Sequence, residues 1–160
     1  MKTLKMKRVM IALDYDPTAQ KVAEIGFTLA AAMKAEVILM HVITDIIYYS
    51  SVAYSPIMGY TGMMAMNQVK KDSAGSLMNA SNHFLDKIKD HLGDKDIKTV
   101  VQEGDFAESI INTAKKQNAD IIVMGSHSKK WLENILMGSV TEKVLQESIV
   151  PLFIVPTKKR

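Results

Sequence analysis

Short apolar runs recur along the chain and are separated by longer stretches in which apolar residues have helical spacing. The first run covers residues 8–13 and the second covers residues 36–43, and neither alternates apolar with polar residues. Strands of this kind are typical of parallel sheets, because helices cover both faces of such a sheet. No other feature of the sequence constrains the fold as strongly.

The segment between the first two runs has the pattern of an amphipathic helix. The residues on its apolar face are Val22, Ile25, Leu29 and Met33. Residues 14–18 have turn composition, and Thr18 is a candidate cap for the helix. Strand, helix and strand in this order form one βαβ unit, for which a right-handed crossover is expected.

The remaining sequence continues this alternation. Further strands are predicted at residues 97–102, 121–124 and 151–155, and further helices at residues 67–92, 105–117 and 138–147. Gly93 should end the first of these helices, and Asp105 with Glu108 resembles a capping box that opens the second. Five strands alternating with four helices predict an α/β fold with an open, doubly wound parallel sheet. Residues 44–66 fit no period, and we expect a flexible loop there.

Composition and charge limit the classes of function. The 160 residues suit a single domain, and the absence of cysteine excludes disulfides, thiolate metal sites and a cysteine nucleophile. The net charge is only +3, and several basic residues lie at the two ends, so we expect no nucleic-acid partner. No apolar stretch approaches the ~20 residues of a membrane span, and no secretory signal is evident. We therefore expect a cytoplasmic protein with no membrane partner.

Polar and glycine residues follow the predicted strands at their carboxyl ends, where open α/β sheets bind ligands. Asp14 ends the first strand, Gly125 ends the fourth, and Gly138 with Ser139 opens the last helix. A helix amino terminus attracts anions, a glycine lets a phosphate approach the backbone, and the hydroxyls of Ser139 and Thr141 can donate hydrogen bonds to phosphate oxygens. These segments therefore form a candidate phosphate site.

Asp14 and Gly125 also have possible roles in such a site. The Asp14 carboxylate can accept hydrogen bonds from ribose hydroxyls or reach a phosphate-bound Mg²⁺ through water. Gly125 is expected to allow a turn that would strain a residue with a Cβ. From these residues alone, a simpler interpretation is equally open: Gly138 and Ser139 only begin a helix, and Asp14 only begins a turn.

A longer motif includes these residues. Residues 125–128, nine further residues, Gly138 and Ser139 resemble the signature G-x2-G-x9-G-[S/T] of the ATP-binding branch of the universal stress protein family. The flanking residues 119–124, 140–144 and 150–156 resemble the family as well, as do Asp14 after the first strand, His41-Val42 and Glu103-Gly104. The resemblance covers nearly the whole chain.

The resemblance implies a Rossmann-like fold of the adenine nucleotide alpha hydrolase type, with a five-stranded parallel sheet of order 3-2-1-4-5 and helices on both faces. It also implies a homodimer formed through the last strand, Leu152–Val155. An apolar edge strand has an independent physical reason to be covered, because it exposes unpaired backbone groups.

The resemblance further implies an ATP site, with or without Mg²⁺, in a dimeric stress or signalling module. Ala12, Leu13 and Asp14 would line the ribose and adenine side, while Val42 and Met124 would contact the base. The residues that would surround the ribose and phosphates are Gly125, His127, Ser128, Gly138, Ser139, Val140 and Thr141.

Ser128 stands where the motif has its second glycine, and a positive φ there would cost serine about 1 kcal/mol or more. This departure keeps open an alternative, a stress or interaction protein of the same fold that binds no nucleotide. A slow ATPase, a nucleotidyl transferase and a flavodoxin-like electron carrier are further alternatives. Because no P-loop, nucleophile elbow or general base accompanies the motif, we expect a binding module with slow hydrolysis or none.

The four histidines show no metal-binding spacing, and no metal ligands are predicted. His41, at a strand end, is expected to be structural. His83 and His91 fall on the predicted long helix and are expected to be solvated, and His127 lies in the predicted phosphate loop.

Overall fold

The computed structural model of the protein describes residues 1, 3–44, 74–126 and 137–157. The elements in chain order are β1 (Arg8–Ala12), α1 (Ala19–Met33), β2 (Glu36–Ile43), α2 (Ala74–Leu92), β3 (Lys98–Glu103), α3 (Phe106–Lys116), β4 (Ile121–Gly125), α4 (Ser139–Glu147) and β5 (Leu152–Val155). From residue 45 onward, the predicted loop lies outside the described residues, as do the first turns of the predicted helix over 67–92.

The strands form one five-stranded sheet in the order β3-β2-β1-β4-β5. Every neighbouring pair is parallel. The predicted fold class and strand order are therefore confirmed. Strand order reverses at β1, which pairs with β2 on one side and with β4 on the other, so ligand chemistry is expected where the carboxyl ends of β1 and β4 meet.

Alternate side chains of the strands enter two separate cores, one on each face of the sheet. Val9 and Ile11 of β1 pack with residues of α1 and α2, including Phe84. Met10 of β1 packs with residues of α3 and α4, including Val144. Helices cover both faces, as predicted. None of the helices in the described ranges is long and apolar enough to cross a membrane.

Local signals at the helix ends account for most boundaries. Gly93 has φ +72° directly after α2, which is a left-handed conformation that favours glycine. The Asp105 carboxylate accepts a hydrogen bond from the Glu108 amide at 3.0 Å and caps α3, as predicted. Thr18 has the N-cap position of α1, as predicted, but its φ and ψ of −85° and −8° are helical and its side chain makes no cap hydrogen bond to the helix. Its hydroxyl donates to the Asp16 carboxylate at 2.7 Å instead.

Candidate functional site

An open cleft lies where the carboxyl ends of β1 and β4 meet the first turn of α4. The space within it, counted together with the open solvent at its mouth, amounts to about 760 Å³. The predicted site residues that line it are Ala12, Leu13, Asp14, Val42, Met124, Gly125, Gly138, Ser139, Val140 and Thr141. The other two predicted site residues, His127 and Ser128, lie outside the described residues.

The floor of the cleft is apolar. Ala12, the last residue of β1, is paired in register with Met40 of β2 and with Met124 of β4. The short alanine side chain between two long ones leaves room above the sheet. Met40, Met124 and Val42 are all buried. Such a surface suits a flat apolar group, since apolar walls dominate the sites that bind small molecules.

One side of the cleft is acidic and is formed by the turn after β1. The Asp14 carboxylate accepts a hydrogen bond from the Tyr15 amide at 2.8 Å. The Asp16 carboxylate accepts hydrogen bonds from the amide and the hydroxyl of Thr18, at 2.8 and 2.7 Å. Both carboxylates are thereby held by their own turn while they line the cleft.

The side formed by α4 presents backbone donors. Gly138 precedes the helix with an extended backbone, φ −70° and ψ 152°, and no side chain among the described residues caps the helix. The first backbone bond of the helix runs from the Glu142 amide to the Gly138 carbonyl. The amides of the preceding turn have no partner within a helix and carry partial positive charge. This turn lines the cleft, so the cleft has the chemistry to bind an anion.

Thr141 and Gly125 have roles other than those predicted. The Thr141 hydroxyl is buried and donates to the Gly125 carbonyl at 3.0 Å. Because a hydroxyl has one proton to donate, this proton is used inside the protein rather than on a phosphate. Gly125 is the last residue of β4, so its backbone is extended and the turn predicted for it is wrong. The hydrogen bond fastens the first turn of α4 to the end of β4.

Replacement of Thr141 by valine should therefore destabilise the protein more than replacement by serine. Valine keeps the shape but leaves the half-buried Gly125 carbonyl without this donor, which costs about 1 kcal/mol, at the low end of the range for a buried group. Serine keeps the hydroxyl. Urea denaturation of the two variants measures the difference in the free energy of unfolding. Equal stability of the valine and serine variants would contradict this role for the hydroxyl.

Ser126 joins the two ends of the glycine motif and connects them to the sheet edge. Its carbonyl accepts a hydrogen bond from the Gly138 amide at 2.7 Å, and its own amide donates to the Val155 carbonyl at 2.9 Å. Its hydroxyl accepts from the Thr157 amide at 3.1 Å. Ser126 and Gly138 therefore meet at one point, next to the carboxyl end of β5.

The chain matches the profile of the universal stress protein family over residues 5–156. The chain belongs to the universal stress protein family. It is similar to the universal stress protein MJ0577 of Methanocaldococcus jannaschii, with 29% identity over 155 residues that cover 95% of this chain and 96% of that protein. It is also similar to universal stress protein A of Escherichia coli, with 26% identity over 152 residues and 95% of each chain covered.

Solved structures of universal stress proteins have the same fold. The structure of MJ0577 has a TM-score of 0.70 at 28% identity, with 98% of this chain and 100% of that chain covered. A universal stress protein crystallised in complex with cAMP has a TM-score of 0.63 at 18% identity, with 97% and 100% covered. At that identity the second likeness shows the fold alone.

Several residues of the cleft of this universal stress protein were not predicted. They are Asp16, Thr18, Ala19, Val22, Met40, Phe106 and Ile110. Met40 would follow from the register between β1 and β2, because it is the partner of Ala12. Phe106 begins α3 and follows the carboxyl end of β3 after Gly104 and Asp105, so the rule that ligands bind at carboxyl strand ends already points to it.

The histidines that the structure describes differ from one another in environment. His41 is buried and bonded to the backbone, which confirms a structural role. His91 lies 2.7 Å from the Glu24 carboxylate on the surface, with 47% of its side chain exposed, as the prediction of solvation requires. The same prediction holds only in part for His83, which is half-buried and whose Nε2 is buried without a hydrogen-bond partner in the described part of the chain.

Proposed function

We propose that this universal stress protein is an adenine-nucleotide-binding module of the cytoplasm that holds ATP, with or without Mg²⁺, in the cleft. The observation that carries the proposal is that one cleft contains both an apolar floor and an uncapped helix amino terminus. An apolar floor around Ala12 suits a base, and the uncapped first turn of α4 suits phosphates.

The charges of the cleft give the nucleotide one favourable orientation. Carboxylates of Asp14 and Asp16 would repel phosphates, so the phosphates belong at the first turn of α4, near the Ser139 hydroxyl. The base then lies on Met124 and Val42, and the ribose hydroxyls come within reach of Asp14. Mg²⁺ would enter with the phosphates and offset their charge.

The family adds two kinds of support. The residues of the ATP-binding signature that fall in the described ranges, Gly125, Gly138 and Ser139, all line the cleft. A universal stress protein of the same fold has been crystallised with cAMP, which is an adenine nucleotide. Both observations favour an adenine ligand over other small molecules.

A second candidate function is a nucleotide-free interaction protein of the same fold. The feature in its favour is Ser128 in the position of the second glycine of the motif. If this serine excludes phosphates, replacing it with glycine should restore binding. The first candidate function predicts that the natural chain binds Mg-ATP, and the second predicts that it does not. Both predict that the Ser128→Gly variant binds Mg-ATP.

The proposal is tested by what the purified protein carries and binds. Denaturation followed by mass spectrometry should release an adenine nucleotide, and calorimetry on stripped protein should show saturable binding of Mg-ATP. Mg-GTP is the matched control, since it has the same phosphates and a different base. Absence of binding at millimolar Mg-ATP would refute the proposal and favour the nucleotide-free candidate.

We also propose that the protein is a binding module and not an enzyme. One oxygen of each of the carboxylates of Asp14 and Asp16 accepts hydrogen bonds from its own turn, and the sequence has no P-loop and no nucleophile elbow. We expect phosphate release from Mg-ATP well below about 1 per second, which is the low end of common turnover numbers. A coupled phosphate assay with the Ala12→Leu variant as control measures this rate, and steady turnover above that value would contradict the proposal.

The proposal includes a homodimer formed through β5. This strand lies at the sheet edge, and exposed apolar side chains surround it: Phe153 is 38% exposed, Leu145 50% and Ile149 83%. Replacement of Phe153 by lysine should shift the protein toward monomer, because a charge would be buried in the interface. Sedimentation equilibrium measures the shift, with Lys98→Glu on the opposite edge strand as control. A natural protein that sediments as a monomer would contradict the dimer.

A further inference from the structure

The imidazole of His41 lies beneath the turn that supplies the acidic side of the cleft. It is 1% exposed, and its Nδ1 lies 2.8 Å from the Leu13 carbonyl oxygen. A carbonyl oxygen only accepts hydrogen bonds, so Nδ1 must carry the proton. The imidazole is therefore a donor to the first residue after β1.

Strand β2 holds Leu13 at both of its backbone groups. The Leu13 amide donates to the Met40 carbonyl at 2.8 Å, and the Leu13 carbonyl accepts from the His41 ring. β1 ends at Ala12, so a strand ladder no longer fixes the chain at this point. The hydrogen bond from the His41 side chain replaces the next backbone hydrogen bond that β1 and β2 would form, at the point where the backbone turns toward Asp14.

The residue on the other side of Asp14 is fixed by the same imidazole. The rings of Tyr15 and His41 have centroids 6.4 Å apart, and both rings pack on Phe84, at 5.0 and 5.4 Å. The Tyr15 amide donates to the Asp14 carboxylate. Both neighbours of Asp14 in the chain are thus held by His41, one by a hydrogen bond and one by ring packing.

The protonation states around His41 suit a fixed donor. Burial lowers the pKa of His41, while the hydrogen bond to Leu13 and the charge of Asp14 act in the opposite direction. Burial raises the pKa of Tyr15 to about 12, so its hydroxyl stays neutral. Among the described groups, the charge that acts on His41 is that of Asp14. A neutral imidazole with its proton on Nδ1 keeps the same hydrogen bond across the physiological pH range.

We propose that His41 is a positioning residue of the cleft, which sets the direction of the Asp14 carboxylate by holding Leu13 and Tyr15. It acts on the ligand through Asp14 and through Leu13, both of which line the cleft. The part of this inference that concerns nucleotide affinity rests on the proposed function, whereas the tautomer of His41 and the order of the turn do not.

A matched pair of variants separates positioning from packing. His41→Asn and His41→Leu have nearly the same shape and lose the ring equally, but only asparagine offers a donor at the position of Nδ1. We expect the leucine variant to bind Mg-ATP about tenfold more weakly than the asparagine variant, which corresponds to the loss of one hydrogen bond. Equal affinities, or tighter binding by the leucine variant, would mean that His41 acts through packing alone and would overturn the inference.

Two measurements by NMR decide the inference without any ligand. In the natural protein, the ring nitrogens of His41 should show the proton on Nδ1, and a proton on Nε2 alone would overturn the inference. Amide exchange at Tyr15 should be about tenfold faster in the leucine than in the asparagine variant, and equal exchange would count against it. If the natural protein binds no nucleotide, the proposed function fails, and these two measurements still decide the role of His41.

Discussion

The Ala12→Leu variant should bind Mg-ATP between about 10-fold and about 100-fold more weakly than the natural protein, because overpacking of a well-fitted site costs roughly 1–3 kcal/mol. Ala12 forms the lowest part of the floor, between Met40 and Met124 in the register of the sheet. A leucine side chain would occupy the space assigned to the base. Calorimetric titration with Mg-ATP measures the change.

The loss of affinity should occur without a comparable loss of stability. Ala12 is partly exposed and lines the open cleft, so the added atoms enter solvent-filled space, and the free energy of unfolding should change by less than about 1 kcal/mol. Ala32→Leu, on the exposed face of α1, is the control for added apolar surface and should leave affinity unchanged. If the Ala12→Leu variant binds Mg-ATP as tightly as the natural protein, the base does not lie on this floor.

The Gly26→Val variant should lose about 3 kcal/mol of unfolding free energy, at the upper end of the usual cost of overpacking. Gly26 is buried in α1. A Cβ at this position would lie 2.7 Å from Cδ1 and 2.9 Å from Cγ1 of Ile11, and 3.2 Å from Cγ1 of Val123. Ile11 and Val123 are fully buried on the two central strands, so neither has space to move without shifting β1 or β4.

Gly75→Val is the matched control, because a Cβ at Gly75 would meet no atom within 4 Å. Both variants replace a helical glycine with valine, but only the valine at position 26 would contact side chains of the sheet. Urea denaturation should show a large loss for Gly26→Val and a change of less than about 1 kcal/mol for Gly75→Val. Equal losses would show that helix propensity, rather than contact with Ile11, determines the effect.

The fold was predictable because its signals are local. Unbroken apolar runs marked the strands, and Gly93 and Asp105 marked helix ends within one residue of where the structure has them. The strand order required more, since it came from the resemblance to a family and not from the apolar runs. Local patterns determine which segments are strands, but they do not determine which strands are neighbours.

The location of the candidate site was predictable from the sequence, whereas the hydrogen-bond partners of its side chains were not. Residues distant in sequence determine the detail: the Thr141 hydroxyl is engaged by Gly125, and the Ser126 hydroxyl by Thr157. The position of Thr18 in the sequence indicated a side-chain cap, but the Thr18 hydroxyl donates its hydrogen bond to the Asp16 carboxylate instead. A sequence shows which side chains can donate, whereas the partner that accepts depends on tertiary contacts.

The most direct test of the proposed nucleotide site is an NMR titration of ¹⁵N-labelled protein with Mg-ATP. The account predicts saturable shifts at the amides of Ala12, Val42, Ser139 and Val140, which line the cleft. The amides of Lys34, before β2, and Asn118, before β4, lie at the amino ends of the strands. Their chemical shifts should not change. Shifts confined to other surfaces, or no shifts at millimolar Mg-ATP, would contradict it.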